Sequence, residues 1–186
     1  IEVGDINNSK TVLEIGAGYG NLTKAIISKE PKKIFAIEKD KKLASLLEEK
    51  FNNNKNLKII NKDILNIINE KNLGQNITVF GNLPYNISTK ILASLIMLKK
   101  WPPWYDTLIL MFQKEVADRI LAKSQTKEFS RLTVLSNWRL EIKKHFNVSR
   151  HCFFPKPKIS STLLSFKPKI DNYFYLKNPK NLEKIT

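Results

Sequence analysis

The first two thirds of the sequence alternate short β-rich runs with stretches of helical periodicity, and this alternation restricts the fold more than any other feature. Strand-like runs are predicted at 11–15, 33–37, 57–60, 77–80 and 107–112. Helical spacing of apolar residues is predicted at 22–27, 42–51, 64–68, 89–98 and 116–121. Strand and helix in regular alternation are typical of βαβ units, which build a parallel sheet covered on both faces. The sequence therefore predicts an α/β protein.

The pattern changes after Arg131. A helical stretch leads into a strand-like run at 140–146, and the segment PKP at 155–157 separates it from another run at 162–166. A strand, a proline-containing connector and a second strand predict an antiparallel hairpin at one edge of the sheet. Because 186 residues provide one core and little more, we predict a single domain over 1–171.

The first predicted strand runs into a glycine-rich turn, EIGAGYG at 14–20. Glycines at every second position allow a sharp turn and let the backbone approach a ligand closely. A dinucleotide-binding fingerprint would have the spacing GxGxxG and would place a phosphate at the helix N-terminus. The spacing here is GxGxG after an acid, which favours a cofactor without phosphate. S-adenosylmethionine, with its sulfonium and ammonium groups, fits, and Gly16 and Gly18 are its predicted contacts. A tight turn without a ligand is the alternative.

Acidic residues also follow the next two predicted strands, where ligands of such sheets bind. Glu38 lies 18 residues after Gly20, a distance at which a carboxylate accepts hydrogen bonds from the ribose hydroxyls of a bound nucleoside. Asp63 is predicted to accept from the adenine amine of the cofactor while Ile64 packs on the ring. Taken singly, Glu38 could be a surface charge and Asp63 could cap the following helix. Three acids, Glu14, Glu38 and Asp63, stand at three successive strand ends, and together they favour the cofactor site.

The fourth strand ends in GNLPYNIS at 81–88. Adenine's exocyclic amine is a poor nucleophile because its lone pair is delocalised into the ring. The Asn82 side-chain oxygen and the Pro84 carbonyl can accept hydrogen bonds from both amine protons and stabilise the positive charge that develops on nitrogen. Tyr85 offers a face on which a flipped-out base stacks. At an arbitrary position this sequence would predict a β-turn; at this strand end it predicts catalytic residues Asn82, Pro84 and Tyr85.

Four stretches now identify a resemblance that runs through nearly the whole chain. They are VLEIGAGYGNLT (12–23), NLPYNIS (82–88), QKEVADR (113–119) and FFPKPKISS (153–161). Together they resemble the small-subunit ribosomal RNA adenine dimethyltransferases, the KsgA family. The resemblance implies a Rossmann-like class I methyltransferase fold and dimethylation of adenine N6 in small-subunit ribosomal RNA during ribosome assembly.

The resemblance also implies residue roles and further segments. Gly16, Glu38, Asp63 and Asn82 would contact S-adenosylmethionine, whereas Asn82, Pro84, Tyr85 and Phe153 would contact the target adenine. Members of the family carry a Gln-Asn-Phe-Leu-type cofactor motif before the first strand, which nothing here matches. They also carry a helical C-terminal domain, of which residues 172–186 are expected to be the start. We therefore expect the sequence to be part of a longer protein.

The chain carries 32 Lys and Arg against 17 Asp and Glu, a net charge of +15, which attracts polyanions. Because the chain is also rich in Asn and Ile, a coding bias toward Lys is the alternative explanation. We expect phosphate contacts from a basic set in the second half: Lys123, Lys127, Arg131, Arg139, Lys143, Lys144, Arg150, Lys156 and Lys158. The aromatic loop with Trp101, Trp104 and Tyr105 is expected to pack against the domain rather than to stack on RNA.

Other classes of protein have less support. One cysteine, Cys152, and two histidines lack zinc-like spacing, so no metal is expected. No apolar run approaches the roughly 18 residues of a spanning helix; we expect a cytoplasmic monomer. The alternatives left open are a resistance-type methylase of large-subunit ribosomal RNA and a non-catalytic RNA-binding assembly or transcription factor on the same fold. A DNA adenine methylase is disfavoured because there is no room for a target-recognition domain.

Overall fold

Seven strands and six α-helices are formed within residues 1–68, 74–153 and 158–170, the part of the chain that this computed structural model describes. The strands are β1 (Thr11–Ile15), β2 (Lys33–Glu38), β3 (Leu57–Asn61), β4 (Ile77–Asn82), β5 (Tyr105–Gln113), β6 (Leu140–Val148) and β7 (Ser161–Pro168). The helices are α1 (Asn21–Ile27), α2 (Lys41–Lys50), α3 (Ile64–Ile67), α4 (Ser88–Ile96), α5 (Lys114–Leu121) and α6 (Arg131–Arg139). The elements predicted from periodicity are therefore confirmed, with small shifts of their ends.

One compact unit consists of Ile1–Pro84 and Trp104–Leu110. Its strands lie in the order β3-β2-β1-β4-β5. Strand β1 pairs in parallel with both β2 and β4, and β2 pairs in parallel with β3. Val12 and Leu13 of β1 are fully buried, as expected for a central strand with both faces covered. The carboxyl ends of β1, β2 and β4 consequently lie along one edge of this unit.

The first turn of this unit is fixed by packing as well as by backbone conformation. Helix α1 begins after Gly20, whose φ of +79° is costly for any residue with a Cβ. A Cβ placed on Gly20 would lie 2.6 Å from Cε2 of Phe51 and 2.7 Å from Cδ2 of Leu47. Glycine at position 20 is thus required for the close packing of the start of α1 against Leu47 of α2 and Phe51, the residue after α2.

The second compact unit consists of Tyr85–Pro103 and the residues from Met111 onward. Strand β5 continues into it, and the order of its strands is β5-β7-β6. Strands β6 and β7 pair antiparallel, with a register shift between Lys144 and Asn147. This is the hairpin predicted after Arg131. The predicted α/β architecture, a mostly parallel sheet with an antiparallel edge hairpin, is confirmed.

The aromatic loop packs as predicted. In the first unit, Trp104 donates its indole N–H to the Ile68 carbonyl at 3.0 Å, and Tyr105 is 2% exposed. In the second unit, the indole N–H of Trp101 donates to the Lys169 carbonyl at 2.8 Å. These three aromatic side chains are part of the protein's own packing and not a free stacking surface.

Arg139 was wrongly predicted to contact phosphate. It is only 9% exposed, and its Nη1 donates to the carbonyls of Ile96 and Leu98 at 3.0 and 3.1 Å. Its guanidinium lies 4.7 Å from the ring centroid of Trp101 and 4.0 Å from that of Trp138. The side chain therefore satisfies carbonyls at the end of α4 and is stabilised by two aromatic faces.

Seven other members of the predicted basic set are exposed: Lys123, Lys127, Arg131, Lys143, Lys144, Arg150 and Lys158. The remaining member, Lys156, lies outside the described residues, as does the predicted start of a further domain at 172–186. No helix in the described ranges has the length and apolar character needed to cross a bilayer.

Candidate active site

The glycine turn and the acceptor turn lie side by side in the first unit. Strands β1 and β4 pair in parallel with Ile15 opposite Gly81, so Gly16, the first residue after β1, lies next to Asn82, the last residue of β4. A Cβ placed on Gly16 would lie 3.9 Å from Cδ of Pro84. The structure thus brings together two motifs that are more than sixty residues apart in the sequence.

The backbone N–H groups of Gly16, Ala17 and Gly18 in the glycine turn are already used by the protein. Those of Gly16 and Ala17 donate to the Ile37 carbonyl at 2.8 and 3.2 Å. That of Gly18 donates to Oε2 of Glu38 at 2.8 Å. A phosphate-binding turn instead directs its N–H groups at the ligand. These N–H groups are therefore not directed at a phosphate, which is consistent with the phosphate-free cofactor that the motif spacing predicts.

The turn also leaves room for a ligand. Gly16 and Gly18 have φ values of +73° and +56°, a conformation that favours glycine. A Cβ placed on Gly18 would meet only the Gly16 carbonyl oxygen, at 4.0 Å. Because no other described residue fills the space in front of Gly18, a ligand can approach its backbone closely.

Glu38, at the end of β2, is held firmly and is 8% exposed. Besides the bond from Gly18, its Oε1 accepts the N–H of Asp40 at 2.9 Å. A carboxylate has about four acceptor positions, and these two bonds within the described residues use two of them, so the other two can accept the hydroxyls of a ribose. The side chain fits the predicted role and in addition fixes the glycine turn.

Asp63 has the helix-capping role that the sequence left open. Its Oδ1 accepts the N–H of Leu65 at 3.0 Å at the start of α3, and its Oδ2 lies 2.9 Å from Nζ of Lys39. Ile64 is 4% exposed. The predicted contacts of Asp63 and Ile64 with the adenine of the cofactor stay predictions.

Glu14 was predicted only as one of three acids that favour the cofactor site, and the structure shows that it is buried. It is 1% exposed, and Oγ1 of the fully buried Thr23 donates to its Oε2 at 2.6 Å. Burial is the main cause that raises the pKa of the Glu14 carboxyl from 4.5 to about 7, and the charge of Glu38 adds to it, while the bonds from Thr23 lower it. An acid inside a largely apolar strand, two residues before the first glycine of the turn, was the available signal.

The acceptor turn is fixed by its buried residues. Leu83 is 2% exposed, whereas its neighbours Asn82 and Pro84 are exposed. A Cβ placed on Gly81 would lie 2.7 Å from Cδ2 of Leu83 and 3.0 Å from Cδ2 of Leu110. Glycine at 81 therefore allows Leu83 to anchor the turn in the core, and Asn82 and Pro84 face outward on either side of it.

Tyr85 and Phe153 belong to the second unit. The Tyr85 hydroxyl lies 2.9 Å from Oγ of Ser161, and the Tyr85 carbonyl accepts from Oγ of Ser88 at 3.1 Å. Phe153 is half-buried and follows the short 3-10 turn Arg150–Cys152. Its predicted contact with the target adenine stays a prediction. Within the described ranges, no three His, Cys, Asp or Glu residues are grouped as a metal site would need.

Comparison with known proteins assigns the family. The family model described as ribosomal RNA adenine dimethylase matches residues 1–186. The chain belongs to this family. It is 52% identical over 186 residues to ribosomal RNA small subunit methyltransferase A of Pelagibacter ubique, covering all of this chain and 70% of that protein. The resemblance predicted from the sequence motifs is confirmed.

Solved structures of methyltransferases share the fold of this member of the adenine dimethylase family. A dimethyladenosine transferase from Plasmodium falciparum superimposes with a TM-score of 0.78 at 32% identity, over 91% of this chain and 59% of that one. The 23S rRNA methyltransferase ErmE superimposes with a TM-score of 0.75 at 25% identity, over 98% and 70%. The Rossmann-like class I methyltransferase fold is thereby confirmed. The chain spans less than two thirds of the length of the Plasmodium protein.

Proposed function

We propose that this chain is the catalytic part of an enzyme that transfers methyl groups from S-adenosylmethionine to the N6 amine of adenines in small-subunit ribosomal RNA, in the cytoplasm, during ribosome assembly. One observation carries the proposal: the glycine turn at Gly16, whose N–H groups are not directed at a phosphate, lies against the acceptor turn at Pro84. Family membership and the 52% identical small-subunit methyltransferase support it.

The cofactor would be held along the edge formed by the ends of β1, β2 and β3. Gly16 and Gly18 offer close backbone approach, and Glu38 offers acceptor positions for the ribose hydroxyls. Asp63 and Ile64 flank the predicted position of the adenine ring. When bound, S-adenosylmethionine supplies a methyl group on a cationic sulfur, and the carboxylates of this edge favour such a charge.

The acceptor turn would activate the amine without a general base. The Asn82 side-chain oxygen and the Pro84 carbonyl accept hydrogen bonds from the two amine protons. These bonds localise the nitrogen lone pair and stabilise the positive charge that develops on nitrogen. Since Leu83 anchors the turn in the core, the backbone that carries both acceptors is fixed, which supports a mechanism in which positioning accounts for much of the rate.

Tyr85 and Phe153 would hold the base outside its stack. A base stacked on an aromatic side chain gains about 1–3 kcal/mol, which offsets part of the cost of unstacking it from RNA. The ring also favours a base that is becoming cationic. In the sequence, Tyr85 directly follows Pro84, so the predicted stacking residue and the predicted amine acceptors belong to one motif.

The exposed basic residues of the second unit support an RNA substrate. Lys143, Lys144, Arg150 and Lys158 are exposed, and neutralising phosphates with such residues releases counterions and provides sequence-independent affinity. Charge alone does not select a ribosomal subunit. The choice of the small subunit rests on the names of the relatives.

Methyl transfer onto isolated ribosomal particles tests the proposal. The complete natural polypeptide is incubated with labelled S-adenosylmethionine and, separately, with immature small and large subunits. We expect label in adenine of the small subunit. Asn82→Ala should lose nearly all transfer, while its affinity for the cofactor should fall less than that of Glu38→Ala. Asn52→Ala, an exposed asparagine in the first unit, is the matched control and should transfer at the parent rate.

The same experiment separates the alternatives. Label in the large subunit alone would favour the activity named for ErmE. Binding of both RNA and cofactor without transfer would favour an assembly factor. Equal turnover of Asn82→Ala and the parent would refute the role of the acceptor turn.

A further inference from the structure

Two buried serines of the second unit hold Tyr85, one through its backbone carbonyl and the other through its phenol hydroxyl. Oγ of Ser88, at the start of α4, donates to the Tyr85 carbonyl at 3.1 Å. At the other end of the side chain, the phenol hydroxyl lies 2.9 Å from Oγ of Ser161, 76 residues further along. Ser88 is 1% exposed and Ser161 is fully buried. Both the backbone and the ring of Tyr85 are therefore oriented by the protein.

Ser161 is itself a firm point of attachment. It is the first residue of β7 and pairs with Val148 of β6 in the antiparallel ladder. The carbonyl of the preceding Ser160 accepts the N–H of Lys114, at the start of α5, at 2.9 Å. The position of the Ser161 hydroxyl is thus set by a strand and by a helix start, so a bond to it restricts the Tyr85 ring.

We propose that Ser161 is a positioning residue for methyl transfer, which holds the Tyr85 ring in the orientation that a flipped adenine stacks on. This inference rests on the proposed function. The hydroxyl of a tyrosine adds little to stacking, which uses the ring face. A hydrogen bond from that hydroxyl to a buried strand, however, removes the rotational freedom that the ring would otherwise lose on binding the base. Fixed groups around a reacting atom matter because small misplacements are costly.

The two hydroxyls can be removed separately and together. Tyr85→Phe keeps the ring and removes the phenol hydroxyl, whereas Ser161→Ala keeps that hydroxyl and removes its partner on β7. In the complete polypeptide acting on immature small subunits, we expect each variant to lower kcat by about 3- to 10-fold, the range for one side chain that must be ordered on binding. The KM for RNA, set mainly by phosphate contacts, and the affinity for the cofactor should change little.

The double variant provides the decisive comparison. If both hydroxyls act through one bond, Tyr85→Phe combined with Ser161→Ala should be no slower than the slower single variant. The unfolding midpoints should likewise shift by less than the sum of the two single shifts. Ser165→Ala is the matched control because Ser165 lies on the same strand and its hydroxyl is bonded to Nε2 of His145 at 2.8 Å. It should transfer at the parent rate.

Several outcomes would overturn the inference. A Ser161→Ala variant with parent kcat, or a double variant whose loss equals the product of the two single losses, would show that the bond does not orient the ring. A loss in Ser165→Ala as large as that in Ser161→Ala would show a general effect on β7. Absence of transfer by the parent would instead refute the proposed function, and the role of Ser161 with it. If Ser161→Ala fails to fold, Tyr85→Phe alone decides, since parent kcat in that variant excludes a role for the bond.

Discussion

Replacing Glu14 by Gln should make the protein more stable at neutral and alkaline pH. Gln has nearly the same shape and retains an oxygen that accepts the bond from Thr23. Burial raises the pKa of the Glu14 carboxyl from 4.5 to about 7, so the folded protein takes up a proton that the unfolded chain has lost. Since one pKa unit corresponds to about 1.4 kcal/mol, the ionised carboxylate lowers the free energy of unfolding by about 3 kcal/mol at high pH.

The sign and the pH range follow from the two protonation equilibria. Below about pH 4.5 the carboxyl is protonated in both states, and its burial has no charge cost. Between about 4.5 and 7 only the unfolded chain ionises, so the parent loses stability as pH rises, by about 1.4 kcal/mol per pH unit. Above about 7 both states are ionised and the loss is complete.

Denaturant unfolding followed by far-UV circular dichroism, at pH 4.5 to 8.5 and constant ionic strength, measures this effect. We expect the free energy of unfolding of Glu14→Gln minus that of the parent to increase by about 3 kcal/mol across the range. Glu48→Gln removes the same charge from an exposed position and serves as control for the general effect of charge. A Glu14→Gln difference that stays constant with pH within about 0.5 kcal/mol, the usual error of additivity, would refute the reasoning.

Three further variants test other parts of the structure. Gly20→Ala should lower the free energy of unfolding by about 2–4 kcal/mol, from the left-handed backbone and the overpacked Cβ, whereas Gly18→Ala, with open space around it, should cost about 1–2 kcal/mol. Arg139→Lys should cost about 2 kcal/mol because an ammonium cannot stack and donate as a planar guanidinium does; thermal unfolding measures it. Lys143→Gln with Lys144→Gln should reduce the salt dependence of RNA affinity by about 0.7 in log–log slope per lost contact, leaving cofactor affinity unchanged.

Each of these has a matched control and a contrary outcome. Equal costs at the two glycines would show that packing against α2 is not the reason for the third one. Arg150→Lys, at an exposed position, should be neutral, and an Arg139→Lys loss no larger than this would contradict the stacking argument. Lys41→Gln with Lys42→Gln neutralises two exposed lysines of the first unit; an equal change in salt slope would assign RNA binding to net charge alone.

The elements and the strand-end motifs were predictable because their signals are local. Apolar periodicity set the strands and helices, and the glycine spacing marked the turn that the structure shows after β1. The motif also predicted a phosphate-free ligand, which agrees with the N–H groups of Gly16 and Gly18 being used by the protein. For Asp63 the sequence left capping and ligand binding open, and the observed cap does not remove the second role.

Features that depend on distant partners were not predictable. Arg139 resembles any surface arginine in sequence, but its carbonyl acceptors lie 41 and 43 residues earlier, and its burial follows from that contact. Glu14 was noted as an acid, but its pKa depends on how completely β1 is covered. The bond between Tyr85 and Ser161 joins two motifs that the sequence shows only as separate similarities, since nothing in either one indicates the other.

The carboxylate of Glu38, bonded to the N–H of Gly18, has a consequence for competition inside a cell. ATP shares its adenosine moiety with S-adenosylmethionine, the proposed cofactor. A triphosphate at this edge would meet a fixed negative charge and a turn whose donors are already occupied, so it would give up its hydration without replacement. We therefore expect ATP to be a poor inhibitor. The lack of available N–H donors in the turn would then contribute to the choice of nucleoside as much as the acceptor positions of Glu38 do.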